Sequence, residues 1–341
     1  MLIEHNQDLT RLNTMGIQSI AKQFFCIESI DDLQELIQNN RIVQPLHILG
    51  GGSNVLLLNE SIDGTVIQNC IKGIHILSED DSVVEVRVGA GENWNDFVQW
   101  CIDHNYAGIE NLTLIPGSVG ASPMQNIGAY GVEVKDVITH VECVDLTTAE
   151  MVMFSNKECE FGYRMSVFKT KFKGRYCITG VQFKLHKTPT FQVHYKALAN
   201  VLEERNISKS QLTLRLVSDT VRDIRMSKLP DPTKLHNCGS FFKNPIVSDE
   251  VLDRIRQKYP EVPSYPEPND LYKVPAGWLI EQSGWRGYRE GAVGVYEKQA
   301  LIIVNYGGAK GQDVYDLSED VFQSVMNKFG IELEREVNLI S

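Results

Sequence analysis

Two stretches of the chain crowd glycine, serine and asparagine in a way that suits an anion: Gly50-Gly51-Gly52-Ser53-Asn54 and Ile115–Gly131, IPGSVGASPMQNIGAYG. Glycine lets the backbone approach a ligand closely, and successive glycines can aim several N–H groups into one concavity. A pyrophosphate is the natural guest. GGGSN alone reads more readily as a tight turn between strands. The second stretch shifts that balance, because its 17 residues carry four glycines and few apolar side chains, a poor core and a good ligand bed. No GxxxxGKS or GxxxxGKT occurs, which argues against an ATPase or GTPase. No GxGxxG joins a strand to a helix either: Gly89-Ala90-Gly91 lacks the third glycine, and Trp94 stands where close helix packing needs a small residue. A dinucleotide bound outside a Rossmann fold remains.

The net charge of −11 gives a nucleic-acid role no electrostatic support, so an anionic ligand must meet positive charge that is concentrated locally. The 341 residues suggest two or three domains. The start MLIEHNQDLT has no basic segment leading into an apolar one, and the longest apolar runs, such as Leu301–Val304, are far short of a membrane span. Seven scattered cysteines without a CxxC pair read as free thiols in a reducing cytosol, and the eight histidines show no metal-ligand spacing. A cytoplasmic protein without metal is expected.

These motifs need elements to position them. Ser29 ahead of Leu33, Leu36 and Ile37 predicts a capped helix. Leu46–Leu49 and Val55–Leu58 read as strands on either side of the first glycine stretch, and Val84–Val88 alternates as a half-buried strand. Trp94, Phe97, Val98, Cys101 and Ile102 form a helical stripe starting near Asn93. After strands and loops to about Lys187, helices are expected near 197–208 and 217–227. Pro230 and Pro232 mark a boundary. Beyond it come helices near 249–258, 276–283 and 312–329, the strand Leu301–Val304, and a strand-like tail over Ile331–Ile340. Trp278, Trp285, Phe241 and Phe242 are expected in the core.

ILGGGSNVLL, IPGSVGASPMQNIGAYG, FGYRMSVFK, GSFFKNP and the terminal LEREV, in this order from NTMGI at residue 13 to residue 337, together resemble the UDP-N-acetylenolpyruvoylglucosamine reductase (MurB) family. The resemblance implies an α+β protein: a FAD-binding fold of the PCMH or vanillyl-alcohol-oxidase type built from two α+β subdomains, plus a separate α+β substrate-binding domain. The expected boundaries are 1–75 and 76–228 for the FAD-binding subdomains, 229–325 for the substrate domain, and 326–341 for a terminal strand. Tyr195 in VHYKAL sits where one branch of the family carries a tyrosine-bearing loop over the substrate.

The family reaction implied is NADPH-dependent reduction of UDP-N-acetylglucosamine enolpyruvate through non-covalent FAD, with hydride passing from flavin N5 to the terminal enolpyruvyl carbon. By resemblance Gly50, Gly51, Gly52, Ser53 and Asn54 wrap the FAD pyrophosphate. Pro116, Gly117, Ser118, Gly120, Ala121, Gln125, Asn126, Gly128 and Ala129 line the rest of the cofactor, and Arg225 lies near the flavin. The matching cation for the substrate carboxylate is Arg164, a group that stays charged and grips in two places. Ser240 matches the proton donor. Glu336 matches the glutamate that stabilises the developing enol or acts as an acid, although Arg335 stands where the family has proline. Tyr130, Tyr195, Lys228, Asn244 and Gln299 match substrate-binding positions. A monomer is expected. An oxidase on the same fold, or a non-catalytic flavin or UDP-sugar binder, is disfavoured by the presence of Arg164, Ser240 and Glu336 together.

Overall fold

In the computed structural model, which describes residues 3–341, the chain forms two compact units. The first takes in the chain up to Gln7, Ala21–Gly52 and Asp63–Ser227; the second holds Asp8–Ile20, Ser53–Ile62 and Lys228–Ser341.

The first unit is built on a five-stranded antiparallel sheet in the order Met151–Ser155, Ile138–Asp145, Tyr176–His186, Val83–Gly89, Ile74–Glu79. Alternation in VVEVRV puts Val84, Val86 and Val88 on the buried face. Val88 pairs with Val181, which in turn pairs with Val141, so one row of β-branched side chains runs across three strands. Helix α2 (Trp94–Asp103) covers this face. Asn93 caps it through Asp96 N–H, and its stripe of Trp94, Phe97, Val98, Cys101 and Ile102 is buried. Phe97 meets Phe183 at 4.9 Å between ring centroids. Side chains of this size contribute roughly 1.5–3 kcal/mol each on burial, which makes the sheet and α2 a rigid base for the loops above them.

A second sheet runs Glu4–Asp8, Ile20–Ile27, Ser61–Asn69, Leu46–Leu49. Helix α1 (Ile30–Gln38) packs beside it. Ser29 and Asp32 close a capping box at its start, and Leu33 and Leu36 are buried with Phe25, Ile27 and Ile67. Helices α3 (Lys196–Glu204) and α4 (Leu214–Lys228) bury Leu198 and Leu202 with Val217, Val221 and Ile224.

The second unit holds an antiparallel sheet in the order His236–Ser240, Ile302–Asn305, Val293–Val295, Arg289–Glu290. A three-stranded sheet, Ile246–Ser248, Leu271–Lys273 and Tyr265–Glu267, accompanies helices α5 (Asp249–Arg256), α6 (Ala276–Gln282) and α7 (Gly311–Phe329). Gly311 opens α7 where a Cβ would collide with the Leu57 carbonyl, so no larger residue fits there.

Two expectations change. Of the tail, only Asn338–Ile340 is strand, paired in parallel with Val55–Leu57, while Arg335 bridges singly to Phe242. Phe241 and Phe242 are core, but Trp278 and Trp285 are only half-buried. Trp278 lies against Tyr259 and Phe329 at the edge of α7.

Candidate active site

Within the first unit the two glycine stretches lie against each other. A Cβ on Gly50 would run into the Ser118 hydroxyl, and one on Gly51 would stand 2.9 Å from Gly117 Cα. Both positions must be glycine if the two backbones are to approach this closely. A third glycine segment joins them. Val119 N–H donates to Glu92 O and Gly120 N–H to Ala90 O, each at 2.8 Å, and Trp94 N–H donates to Gly117 O at 3.0 Å. Ala121 closes the short turn by donating to Ser118 O. The result is a backbone-lined cradle whose width is set by missing side chains, which fits a pyrophosphate. Ser122 Oγ is buried here with no hydrogen-bond partner, a polar atom suited to meeting a ligand.

FGYRMSVFK is stitched onto the far end of the second glycine stretch. Ser166 Oγ donates to Met124 O at 2.6 Å, Asn126 Nδ2 to Gly162 O at 3.0 Å, and Lys169 Nζ to Gln125 Oε1 at 3.4 Å. Arg164 completes the seam, donating from one guanidinium nitrogen to Gly128 O at 2.6 Å and from the other to Asn126 O at 3.4 Å. Two carbonyls therefore orient the guanidinium plane, as a bidentate grip on a planar anion requires. Gly128–Ala129 forms a two-residue ladder with Val132–Glu133. Asn126, Tyr130 and Arg164 all adopt left-handed backbone, at φ of 47°, 51° and 51°. Such conformations strain residues with a side chain and concentrate at functional sites. Here three fall in one seam.

Tyr130 leads to the next group. Its ring meets that of Tyr195 edge-on at 5.4 Å, and Arg225 reaches toward its hydroxyl from α4. Burial pushes the Tyr130 phenol up, while the Arg225 charge pulls the other way. Burial likewise lowers Arg225, whose Nε is enclosed with no hydrogen-bond partner. A desolvated guanidinium with an unmet donor is a strong point of attraction for an anionic or carbonyl-bearing ligand. Tyr195 is exposed and sits directly ahead of α3.

In the second unit, Ser240 ends the strand His236–Ser240 and is exposed. Glu336 N–H donates to Phe241 O at 2.8 Å, and two residues on Lys243 N–H donates to Glu334 O at 2.8 Å. With the Phe242–Arg335 bridge, these bonds hold GSFFKNP and LEREV as one short antiparallel ladder. Asn54 Nδ2 reaches Glu336 O at 3.3 Å, and Asn54 O accepts from both the backbone and the side chain of Asn338. Cys238, wholly enclosed, has its thiol pushed up to about 12 mainly by burial, with the Glu336 charge adding to it.

Asn244 and Gln299 are brought together at the start of α6. Asn244 Oδ1 accepts Ala276 N–H at 2.9 Å, and a Cβ on Gly277 would stand 2.8 Å from Gln299 Oε1. Lys228 is the exposed last residue of α4.

Three residues escape sequence reasoning: Ala90, Asn111 and Lys243. Ala90 belongs to the cradle although its glycine pair fails the Rossmann pattern. Asn111 is buried, donates to Tyr130 O and Gln192 O, and leaves its Oδ1 without a partner. Lys243 is buried and paired with Glu334. Arg335 donates to Ser318 Oγ at 3.0 Å and Glu319 Oε2 at 2.6 Å, and stacks over Tyr315. The family proline that Arg335 replaces is therefore exchanged for a side-chain anchor. Among the described residues no cluster could hold a metal ion, and no helix is long and apolar enough to cross a membrane.

Comparison with known proteins gives concordant results. Residues 231–340 match the family model of the UDP-N-acetylenolpyruvoylglucosamine reductase C-terminal domain, and residues 21–155 match an FAD binding domain. The UDP-N-acetylenolpyruvoylglucosamine reductases of Flavobacterium johnsoniae and Amoebophilus asiaticus are each 46% identical, over 100% of both chains. That of Pseudomonas putida is 44% identical over 96% of each. A crystal structure of UDP-N-acetylenolpyruvylglucosamine reductase from Thermus caldophilus covers 100% of both chains with a TM-score of 0.69 and 24% identity, a likeness of fold.

Proposed function

The chain belongs to the UDP-N-acetylenolpyruvoylglucosamine reductase family, and from that premise we propose how its own residues carry the reaction. The protein is an FAD-dependent oxidoreductase that uses NADPH to reduce UDP-N-acetylglucosamine enolpyruvate to UDP-N-acetylmuramate, a peptidoglycan precursor. FAD, when bound, would supply the hydride chemistry that links reduced nicotinamide to the terminal enolpyruvyl carbon. Gly50–Asn54, Pro116, Gly117, Ser118, Gly120 and Ala121 would hold its pyrophosphate. Gln125, Asn126, Gly128, Ala129 and Arg225 would meet the rest of it.

Arg164 grips the substrate carboxylate in two places, so that negative charge developing on the neighbouring carbon is spread toward a fixed cation. Positioned donors of this kind are worth a few kcal/mol each. Ser240 gives its hydroxyl proton to that carbon. A serine hydroxyl is a weak acid and donates only to a strongly basic centre, which the carbon beside the carboxylate becomes. Glu336 stabilises the enol or acts as an acid beside Ser240. Tyr195, Lys228, Asn244 and Gln299 hold the diphosphate and sugar, with Tyr130 beside the channel shared by nicotinamide and substrate. We assign the protein to the cytoplasm as a monomer, for which sedimentation velocity is the check.

The observation that supports this reading best is the bond from Glu336 N–H to Phe241 O, which joins the segment carrying Glu336 to the one carrying Ser240. The test is an anaerobic visible spectrum. Flavin absorbance should bleach with NADPH and return with enolpyruvyl substrate. A flavin that bleaches but returns only with oxygen would point to an oxidase instead.

A further inference from the structure

Of the seven cysteines, five (Cys101, Cys143, Cys159, Cys177 and Cys238) are buried, but Cys26 and Cys70 are only partly so. These two face each other. The Cys26 thiol donates to the Cys70 sulfur at 2.8 Å. Their backbones are joined as well, since Cys70 N–H donates to the carbonyl of Ile27, the residue after Cys26, at 2.8 Å. Cys26 lies in the strand Ile20–Ile27, and Cys70 directly follows its sheet neighbour Ser61–Asn69, so both sulfurs are carried on paired, rigid backbone.

We infer that Cys26 and Cys70 form a reversible dithiol–disulfide couple, a modification site in the first unit that reacts with small-molecule disulfides. A disulfide needs its sulfurs about 2.05 Å apart. The remaining approach is under about 1 Å, within reach of a side-chain rotation. The partial exposure of both groups provides the access that the other five lack.

Burial orders the chemistry. Cys26 keeps its proton, its thiol being pushed up to about 12, first by burial and then by the Cys70 sulfur beside it. We take the Cys70 sulfur, on the other side of the 2.8 Å contact, as the one that attacks. As a thiolate it displaces one half of a small disulfide, forming a mixed disulfide and releasing a thiolate. That thiolate takes up the Cys26 proton, and the Cys26 sulfur then displaces the second half from Cys70. The net change consumes the protein dithiol and one small disulfide, and yields the protein disulfide and two small thiols.

The junction that would be cross-linked leads straight into a segment that braces the cradle. Gly91 N–H donates to Ile71 O and Gly89 N–H to Gly73 O, each at 2.8 Å, and a Cβ on Gly91 would stand 2.6 Å from the Cys70 carbonyl carbon.

The experiment uses the full-length holoenzyme equilibrated anaerobically in buffers of oxidised and reduced glutathione, then alkylated with N-ethylmaleimide and read by intact mass and peptide mapping. Maleimide labelling of Cys26 and Cys70 should be lost together as the buffer becomes oxidising, with a cross-linked peptide containing both, and should return with dithiothreitol. The variant Cys26→Ser, unable to close the ring, should instead accumulate glutathione at Cys70. Full labelling of both cysteines in every buffer, or glutathione persisting on Cys70 of the unsubstituted protein, would overturn the inference. So would a Cys26→Ser protein that takes up no glutathione.

Discussion

The amide of Glu336 hydrogen-bonds at 2.8 Å to the carbonyl of Phe241, the residue that follows Ser240. One backbone bond therefore ties together two segments that stand far apart in the chain, GSFFKNP and LEREV. Lys243, paired with Glu334, and Arg335, anchored on Ser318 and Glu319, hold that ladder from either side. The site in this unit is thus as dependent on anchors as on the reactive groups.

Arg335→Ala removes hydrogen bonds to Ser318 and Glu319 and the stack over Tyr315. Destabilisation of about 1–3 kcal/mol is expected from lost packing and unpaired polar groups, since the ion pair itself is partly exposed. Urea titration measures it. Turnover of the folded variant should fall more than that of Arg335→Lys, and equal turnover in the two would show that Arg335 does not position Glu336.

Gly51→Ala would set a methyl group against Gly117, and Gly50→Ala would press one onto the Ser118 hydroxyl. Overpacking of this kind costs about 1–3 kcal/mol. Both variants should lose flavin on gel filtration. Ser118→Ala, by removing the colliding hydroxyl, should restore flavin retention to Gly50→Ala but not to Gly51→Ala, whose clash is with backbone. Rescue of both would refute the proposed geometry of the cradle.

Glu110 is buried, and burial raises its carboxyl above the usual range even though it accepts the Gly108 N–H at 2.7 Å. The folded protein therefore holds this proton more tightly than the unfolded chain does. Stability is highest below the unfolded value, near 4.3, and is lost as pH rises through the folded one. Glu110→Gln keeps an acceptor without a charge, so its Tm should exceed that of the unsubstituted protein more at pH 7 than at pH 4. A Tm difference independent of pH would show that burial does not raise the Glu110 carboxyl.

Tyr195→Phe tests the tyrosine that borders Tyr130. Loss of one hydrogen bond to substrate, about 0.5–1.5 kcal/mol, should raise the substrate Kd about 2- to 12-fold while leaving flavin reduction by NADPH unchanged. Unchanged substrate affinity would remove Tyr195 from the site.

How far the sequence was legible follows from where the information lies. The helices were readable because their causes are local: the Ser29 capping box, Asn93 ahead of α2, and the Trp94–Ile102 stripe all act within a few residues. The tail is strand over Asn338–Ile340 alone because its earlier pairing, with GSFFKNP, is confined to a single bridge at Arg335, and the partner of Asn338–Ile340 lies far off at Val55–Leu57. Trp278 and Trp285 looked like core by size, yet each lies at the edge of its cluster. The left-handed backbone at Tyr130 and Arg164 leaves no trace in composition, since glycine and asparagine, not tyrosine or arginine, are the residues that favour positive φ. The register that joins Ser240 to Glu336 is long-range, so spacing could not reveal it; the motifs pointed to these residues only through resemblance.

The central claim, that Ser240 supplies the proton to the substrate carbon, is tested most directly by anaerobic stopped-flow measurement of both half-reactions in Ser240→Ala. Reduction of the flavin by NADPH should proceed at close to the unsubstituted rate, while reoxidation by UDP-N-acetylglucosamine enolpyruvate slows by about 10²–10⁴-fold, the usual contribution of a positioned acid. Equal slowing of the two half-reactions, or reoxidation at full rate, would contradict the account and leave Ser240 a structural residue of its strand.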